Sequence, residues 1–433
     1  AKDFEKLRDF IKRFVTEGDD KEGLYIIENG KIKPSKMLQD SFSSVLKGNK
    51  EFVLIDDQKV IFEEALRIGI NAHLHNEKSV LIVEGGPGTG KSVLAINLLK
   101  QFLNRSLNSF YVTKNSAPRE VFKAKLKIDK MSGLNNLFKG SGSFYDCEPN
   151  SFDVLIVDEA HRLNKKSGLF SNLGENQIKE IINSSKFSIF FIDENQRVTL
   201  KDNGSIDEIK KYARYYNAGI HKMELKSQFR CDGSDGYLAW LDNVLEIRGT
   251  ANFDLDSKYD FKVFDDPNEL RKAIEKKNRI NNKSRLVAGY CWNWISEGKN
   301  KSDVYDITIP EYNFGMSWNL GNSSTWAIDK ESVNEIGCIH TCQGLEFDYV
   351  GVIIGDDLRY ENDHIVTDYT KRAKTDQSIK GINKIAKEEG IEEAKRITDS
   401  IIKNTYKTLM TRGMKGCYVY CIDKKLSNYL KNR

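Results

Sequence analysis

The stretch SVLIVEGGPGTGKSVLAINLLKQFL, residues 79–103, decides the fold. Its first five residues are the short apolar run of a strand covered on both faces. The last eleven carry apolar residues at helical spacing. Between them, residues 85–92 fit G-x-x-x-x-G-K-[ST] in the strand–loop–helix context that the pattern requires. Glycines at these positions let the backbone wrap around a phosphate with its N–H groups turned inward. Gly85, Gly86, Pro87, Gly88, Thr89, Gly90, Lys91 and Ser92 are therefore the candidate nucleotide-binding loop. Lys91 would reach the terminal phosphates of ATP, and Ser92 would ligate Mg²⁺. The bland reading, a chance glycine-rich turn, has to explain strand, spacing and helix together.

Further along, VLIVDEAHR (154–162) ends an apolar strand on two acids. Asp158 is placed to hold the Mg²⁺ shell with Ser92, and Glu159 to orient and deprotonate an attacking water. Two carboxylates at a strand end could also be helix caps. His161 has two readings, a link from the nucleotide to the neighbouring strand or plain packing. In FFIDENQRV (190–198) another strand ends in acid and amide groups, so that Gln196 would sit beside the γ-phosphate; alone it could be a turn residue.

Working outward, short apolar runs alternate with helical segments. The runs at 79–83, 109–113, 152–158 and 187–193 predict one parallel sheet; those at 285–290, 334–340, 348–354 and 416–422 predict a second. Asp57 is positioned to cap a helix with apolar residues at 60, 61, 65 and 68. Residues 1–50 are expected to form a small N-terminal extension or the remnant of a preceding module, 51–225 the first α/β domain, and 226–433 the second. An insertion is expected at about 356–404. The chain of 433 residues is longer than one core usually serves. It does not open on Met, as expected of a module cut from a larger parent.

Composition excludes some classes. With 39% apolar and 30% charged residues the chain reads as globular, and a net charge of +4 does not by itself call for a nucleic-acid partner. No apolar run approaches the length of a membrane span, no membrane partner is expected, and the expected location is cytoplasmic. The 7 cysteines are scattered. Their two C-x3-C pairs, 338/342 and 417/421, read as reduced thiols in loop and strand rather than as zinc ligands.

Three later segments separate the possible phosphate-binding enzymes. LKSQFRC (225–231) carries Arg230 to the entrance of the second sheet. IHTCQGLEFDYVGVII (339–354) puts the turn of Gly344, Leu345 and Glu346 directly before a buried strand, and TLMTRGMKG (408–416) supplies Arg412. A helix-end arginine beside a glycine turn is the ordinary reading of Arg412 taken alone.

The order of these segments resembles a superfamily 1 helicase core. More narrowly, AGYCWNW (288–294), QGLEFDYVGVIIG (343–355) and NTYKTLMTRGMKGCYVY (404–420) resemble the bacterial Schlafen-like group of DNA/RNA helicase-type ATPases, over about residues 51–425. The resemblance implies two tandem RecA-like P-loop domains of α/β class with the ATP cleft between them. It implies that Gln58 reads the adenine edge and that Gly344 and Glu346 serve the ribose. Arg230 and Arg412 would reach the γ-phosphate from the second domain. Thr113, Asn115 and Arg119, with His340, Thr341 and Gln343, would touch the nucleic-acid backbone. The implied partner is single-stranded or tailed nucleic acid, DNA ahead of RNA. Trp292 and Trp294 are either stacking residues or domain core. A fused or associated nuclease or other effector is the second expectation, with the module acting as a non-unwinding switch.

Overall fold

The computed structural model describes residues 54, 56–128, 132–168, 172–226, 235–253, 255, 259–295, 304–319 and 325–433. The expected N-terminal extension and Arg230 lie outside them. Helix α1 (Asp56–His75) leads into strand β1 (Ser79–Gly85), helix α2 (Lys91–Asn104), β2 (Ser109–Val112), α3 (Ser116–Ile128) and β3 (Phe138–Lys139). After β4 (Phe152–Val157) come α4 (Gln177–Ser184), β5 (Ser185–Ile192), α5 (Ile206–Tyr215) and β6 (Gly219–Leu225). These six strands form one sheet in the order β3-β2-β4-β5-β1-β6, every neighbour parallel.

Burial explains the texture of the strands. Along β1, Leu81 and Val83 enter the apolar cluster beneath α1 and α2, while Val80 and Ile82 enter the cluster beneath α4 and α5. Alternate residues point to opposite faces, and both faces are covered by helices, so the run has to be apolar throughout. In α1, Ile61, Ala65 and Ile68 are buried as expected, but Val60 faces out at 58% exposure. Asp57 lies inside the first turn, where its carboxylate accepts the amides of Gln58 (2.9 Å) and Lys226 (3.0 Å). It thereby ties the start of α1 to the end of β6.

The second half adds α6 (Asp235–Val244), β7 (Asp260–Phe264), α7 (Pro267–Asn281), β8 (Ser284–Ala288), β9 (Ile307–Ile309), β10 (Phe314–Trp318) and β11 (Glu335–Gly337). Helix α8 (Ile339–Cys342), β12 (Phe347–Ile354), hairpin β13 (Leu358–Glu361) and β14 (His364–Thr367), α9 (Ile382–Glu388), α10 (Ile391–Met410), β15 (Gly413–Cys421) and α11 (Lys424–Lys431) complete it. The sheet order is β7-β15-β12-β8-β11-β10-β9, parallel except for the edge strand β9. The molecule is thus an α/β protein with parallel sheets.

One expectation is corrected and two others are sharpened. The run 334–340 is a strand only to Gly337: Thr341 Oγ1 accepts the Cys338 amide at 3.0 Å, and the chain turns into α8. The stretch 356–404 holds the β13–β14 hairpin and α9, but from Ile391 it is the helix α10 that returns the chain to β15. Trp292 and Trp294 are partly buried and pack on the second sheet's core; Trp294 stacks on Trp318 at 5.9 Å between centroids. Among the described residues no cluster of three or more His, Cys, Asp or Glu could hold a metal, and no helix is long and apolar enough to cross a membrane.

Candidate nucleotide site and the seam beside it

In the first sheet β4, β5 and β1 are adjacent and parallel, so the loops leaving their carboxyl ends open onto one edge. Ligand sites of open α/β sheets form at such edges. The β1 loop turns through Gly88 (φ 78°) and Gly90 (φ 83°), left-handed conformations that suit glycine, and delivers Lys91 to the first turn of α2. Lys91 Nζ donates to the carbonyls of Gly85 (2.6 Å) and Gly86 (2.7 Å). Thr89 Oγ1 also donates to Gly86 O at 3.0 Å. Gln58 is buried on α1 and its Nε2 donates to the Thr89 carbonyl at 3.1 Å, bracing the loop from behind.

The β4 loop brings both acids. Ser92 Oγ donates to Asp158 Oδ2 at 2.6 Å, and Tyr111 Oη on β2 donates to the same oxygen at 2.5 Å. Oδ1 accepts the Glu159 amide at 2.9 Å. Burial, then the neighbouring Glu159 charge, pushes the Asp158 carboxyl above the usual range, against the pull of Ser92, Tyr111 and Lys91. Ser92 Oγ and Asp158 Oδ2 are hard oxygen donors side by side, a pair that suits Mg²⁺.

Glu159 adopts a left-handed conformation, φ 55° and ψ 45°, which is costly for a side chain of its size and is typical of functional turns. Burial alone would raise its carboxyl. His161, Lys91 and Arg412 together more than offset that and hold it below the ordinary glutamate range. His161 is fully buried, with Nε2 3.0 Å from Glu159 Oε2. Its Nδ1 accepts the Asp193 amide at 3.4 Å, which assigns the ring proton to Nε2 and turns it toward Glu159. Asp193 Oδ2 in turn accepts Gln196 Nε2 at 2.6 Å. His161 therefore lies between the β4 acid and the β5 turn.

Arg412 comes from the second sheet. It follows α10, is 1% exposed, and donates from Nε to Thr408 O (3.0 Å) and from Nη1 to Leu345 O (3.4 Å). Its own carbonyl accepts the Phe347 amide at 2.9 Å, so the start of β12 fixes the turn. The guanidinium charge acts on Glu159 together with that of Lys91. Both acidic-edge and second-sheet groups thus converge on one carboxylate.

The residues expected to touch nucleic acid line one seam between the two sheets. Asn115 Nδ2 donates to Gln343 O at 2.9 Å, and Gly344 (φ 81°) approaches Pro118 so closely that a Cβ would stand 2.8 Å from Pro118 Cγ. Gln343 is buried, with neither side-chain polar atom hydrogen-bonded. Thr113 is buried, and its carbonyl accepts Arg119 Nη1 at 2.6 Å, so Arg119 braces the loop after β2. Thr341 is engaged in capping α8. His340 is lowered to about 4, first by burial and then by Arg162. Glu346 stands half-buried directly before β12.

Sequence reasoning missed four of the groups that hold this edge. Tyr111 is one aromatic in an apolar strand, and nothing local marks it. Lys114, Arg162 and Asp202 form a buried charge cluster, with Asp202 Oδ1 3.2 Å from Lys114 Nζ and 3.1 Å from Arg162 Nε. Burial would raise Asp202, but Arg162 and Lys114 hold it at about 2.

Comparison with known proteins agrees with this loop chemistry. The family described as Schlafen group 3, DNA/RNA helicase domain, matches residues 78–423, well over half of the chain. The chain belongs to this family. An uncharacterized protein of Saccharomyces cerevisiae is 26% identical over 391 residues, covering 81% of this chain and 84% of its own. Among solved structures, a DNA replication initiation factor shares 14% identity with TM-score 0.25, covering 42% of this chain and 49% of its own. The AMPPCP-bound DnaA of Aquifex aeolicus shares 14% with TM-score 0.24, covering 47% and 56%. The chain thus spans about half the length of these two, and the likeness is too partial to carry a functional comparison. Family and loop together identify a nucleotide-binding P-loop protein.

Proposed function

We propose that this chain is a nucleic-acid-dependent ATPase built as a superfamily 1 helicase core, with residues 51–225 and 226–433 as tandem RecA-like domains and 1–50 as an extension. The observation that carries the reading is a fully buried arginine of the second sheet, Arg412, whose charge acts with that of Lys91 on Glu159 beside the phosphate loop. A kinase with a single sheet has no use for the second cation.

In this reading the β1 loop from Gly85 to Ser92 wraps the phosphates, and Lys91 exchanges the carbonyls of Gly85 and Gly86 for phosphate oxygens. Gln58 reads the adenine edge, and Gly344 and Glu346 flank the ribose. Ser92 and Asp158 would hold Mg²⁺, which when bound neutralises charge on the phosphate oxygens. Glu159, kept ionised by the Lys91 and Arg412 charges and by the His161 ring beside it, accepts the proton of the attacking water. Gln196 senses the γ-phosphate, and Glu159 reports to it through His161 and Asp193. Arg412, with Arg230, stabilises charge that develops as the γ-phosphoryl leaves; such arginines contribute a factor of ~10³ or more in related systems. Loss of the γ-phosphate removes the attraction between the sheets and loosens the seam. A single strand held along Thr113, Asn115, Arg119, His340, Thr341 and Gln343 is then regripped.

The density of the seam favours a second reading. Ala117, Val121 and Val198 belong by sequence to the first half but are buried in the second sheet's apolar cluster. A seam packed this way suits a cytoplasmic switch that gates an associated nuclease or other effector without separating strands. ATP turnover measured with and without single-stranded DNA and RNA, followed by strand displacement from a tailed duplex, distinguishes the two. Stimulated turnover with displacement is expected of a helicase, and stimulated turnover without it selects the switch. Turnover indifferent to every nucleic acid would sink both.

A further inference from the structure

The turn that carries Gln196 is clamped to α10, the helix that leads into Arg412. Within the turn, Asp202 Oδ2 accepts the amides of Val198 (3.1 Å) and Thr199 (3.0 Å), while Oδ1 holds Arg162. The turn is therefore one stiff body from Gln196 to Asp202. Outward, it meets the second half at three points. Val198 is fully buried in a cluster with Tyr406, Leu409 and Met410 of α10. The Leu200 amide donates to Ser378 O at 2.7 Å. Asn404 Nδ2, on α10, donates to the Arg197 carbonyl at 3.1 Å.

Asn404 precedes the helix end at Met410 by six residues, about 9 Å at 1.5 Å per residue, and Arg412 follows two residues later. Every residue of α10 between Asn404 and the helix end at Met410 is buried, so this length of helix transmits a displacement rather than absorbing it. We propose that Asn404 is a positioning residue that couples Gln196 to Arg412: its carboxamide grips the carbonyl of Arg197, next to Gln196, and sets the axial register of the helix that ends at Met410, two residues before Arg412. The inference rests on the reading of Gln196 and Arg412 as γ-phosphate groups. A carboxamide suits the task because its N–H₂ can only donate to the carbonyl it faces. An aspartate of the same shape would set an acceptor against an acceptor.

The test is single-turnover hydrolysis of radiolabelled ATP by the full chain, with binding of a fluorescent ATP analogue measured in parallel. Asn404→Asp is expected to lower the hydrolysis rate about fivefold, the effect of one lost hydrogen bond, with nucleotide affinity unchanged. Asn404→Gln, which keeps the donor on a longer arm, is expected to recover at least half of the rate. The double variant Asn404→Asp/Arg412→Ala is expected to be no slower than Arg412→Ala alone, because Asn404 acts through Arg412. A double variant slower by the product of the two losses would overturn the proposal. So would wild-type hydrolysis by Asn404→Asp, or an Asn404→Gln rate no better than that of Asn404→Asp. Wild-type hydrolysis by Arg412→Ala alone would instead refute the two-sheet reading, and that outcome is read without any change at Asn404.

Discussion

Replacing Arg412 by alanine separates its proposed catalytic role from its structural one, because the two differ in expected size. The side chain is 1% exposed and holds two carbonyls, Thr408 O at 3.0 Å and Leu345 O at 3.4 Å. Leaving both without this partner costs about 1 kcal/mol each, roughly 2 kcal/mol in all. For a unit of about 200 residues that lowers the melting temperature by roughly 4–8 °C. The catalytic loss is larger: removing a cation from the developing phosphate charge costs ~10³ in rate, which is ~4 kcal/mol at 1.36 kcal/mol per decade. Nucleotide affinity, carried by Lys91 and its loop, should change by less than about threefold. Arg412→Lys keeps the charge without the planar fork and should lose only about tenfold in turnover. Steady-state phosphate release at saturating ATP, analogue binding and thermal melting read the three quantities. A variant that melts several degrees lower yet turns over within fivefold of wild type would make Arg412 a helix-end arginine and nothing more.

Two further substitutions probe the edge that holds Glu159. Asp202 sits at about 2 in the folded chain against an ordinary 3.8, so its stabilisation is complete above pH 3.8 and is lost as pH falls toward 2. The shift of nearly two units corresponds to ~2 kcal/mol. Asp202→Asn should therefore lower the stability measured by denaturant unfolding at pH 7, with the gap to wild type closing between pH 3.8 and about 2; a gap that ignores pH would refute the assignment. At Gly204 an added Cβ would stand 1.8 Å from the Ala160 carbonyl oxygen and 2.8 Å from His161 Cα, both backbone atoms directly after Glu159. Gly204→Ala should destabilise by roughly 2–3 kcal/mol or more and reduce turnover with it, and an unchanged melting temperature would contradict the close approach.

How much of this was legible depends on the range of each interaction. The β1 loop, the acids after β4 and the apolar strands are read within windows of about a dozen residues, since their chemistry is set by local spacing and by φ > 0 at glycine. Strand ends were less legible: the run to 340 stopped at Gly337 because one hydroxyl, Thr341 Oγ1, captured the Cys338 amide. Asp57 looked like a cap and, besides the first-turn Gln58 amide, also serves Lys226, 169 residues away. The nucleic-acid candidates were gathered on one seam, yet Thr113 proved buried and Arg119 turned inward to the Thr113 carbonyl, which no spacing reveals.

By itself the sequence determined that this chain builds a phosphate loop between a buried strand and a helix, with two acids on a later strand. Each of those signals lies in contiguous residues and is dictated by backbone sterics and burial on both faces of a sheet. Only the tertiary structure decided that β4 lies between β2 and β5, with β1 next to β5, so that Tyr111, Ser92 and Glu159 N–H share Asp158. It also decided that the Arg412 charge acts on Glu159 and that Asn404 holds the carbonyl of Arg197, the residue after Gln196. Apart from the Glu159 amide, the partners in those contacts are separated by 47 to 253 residues, and what brings them together is the packing of whole elements rather than any local preference.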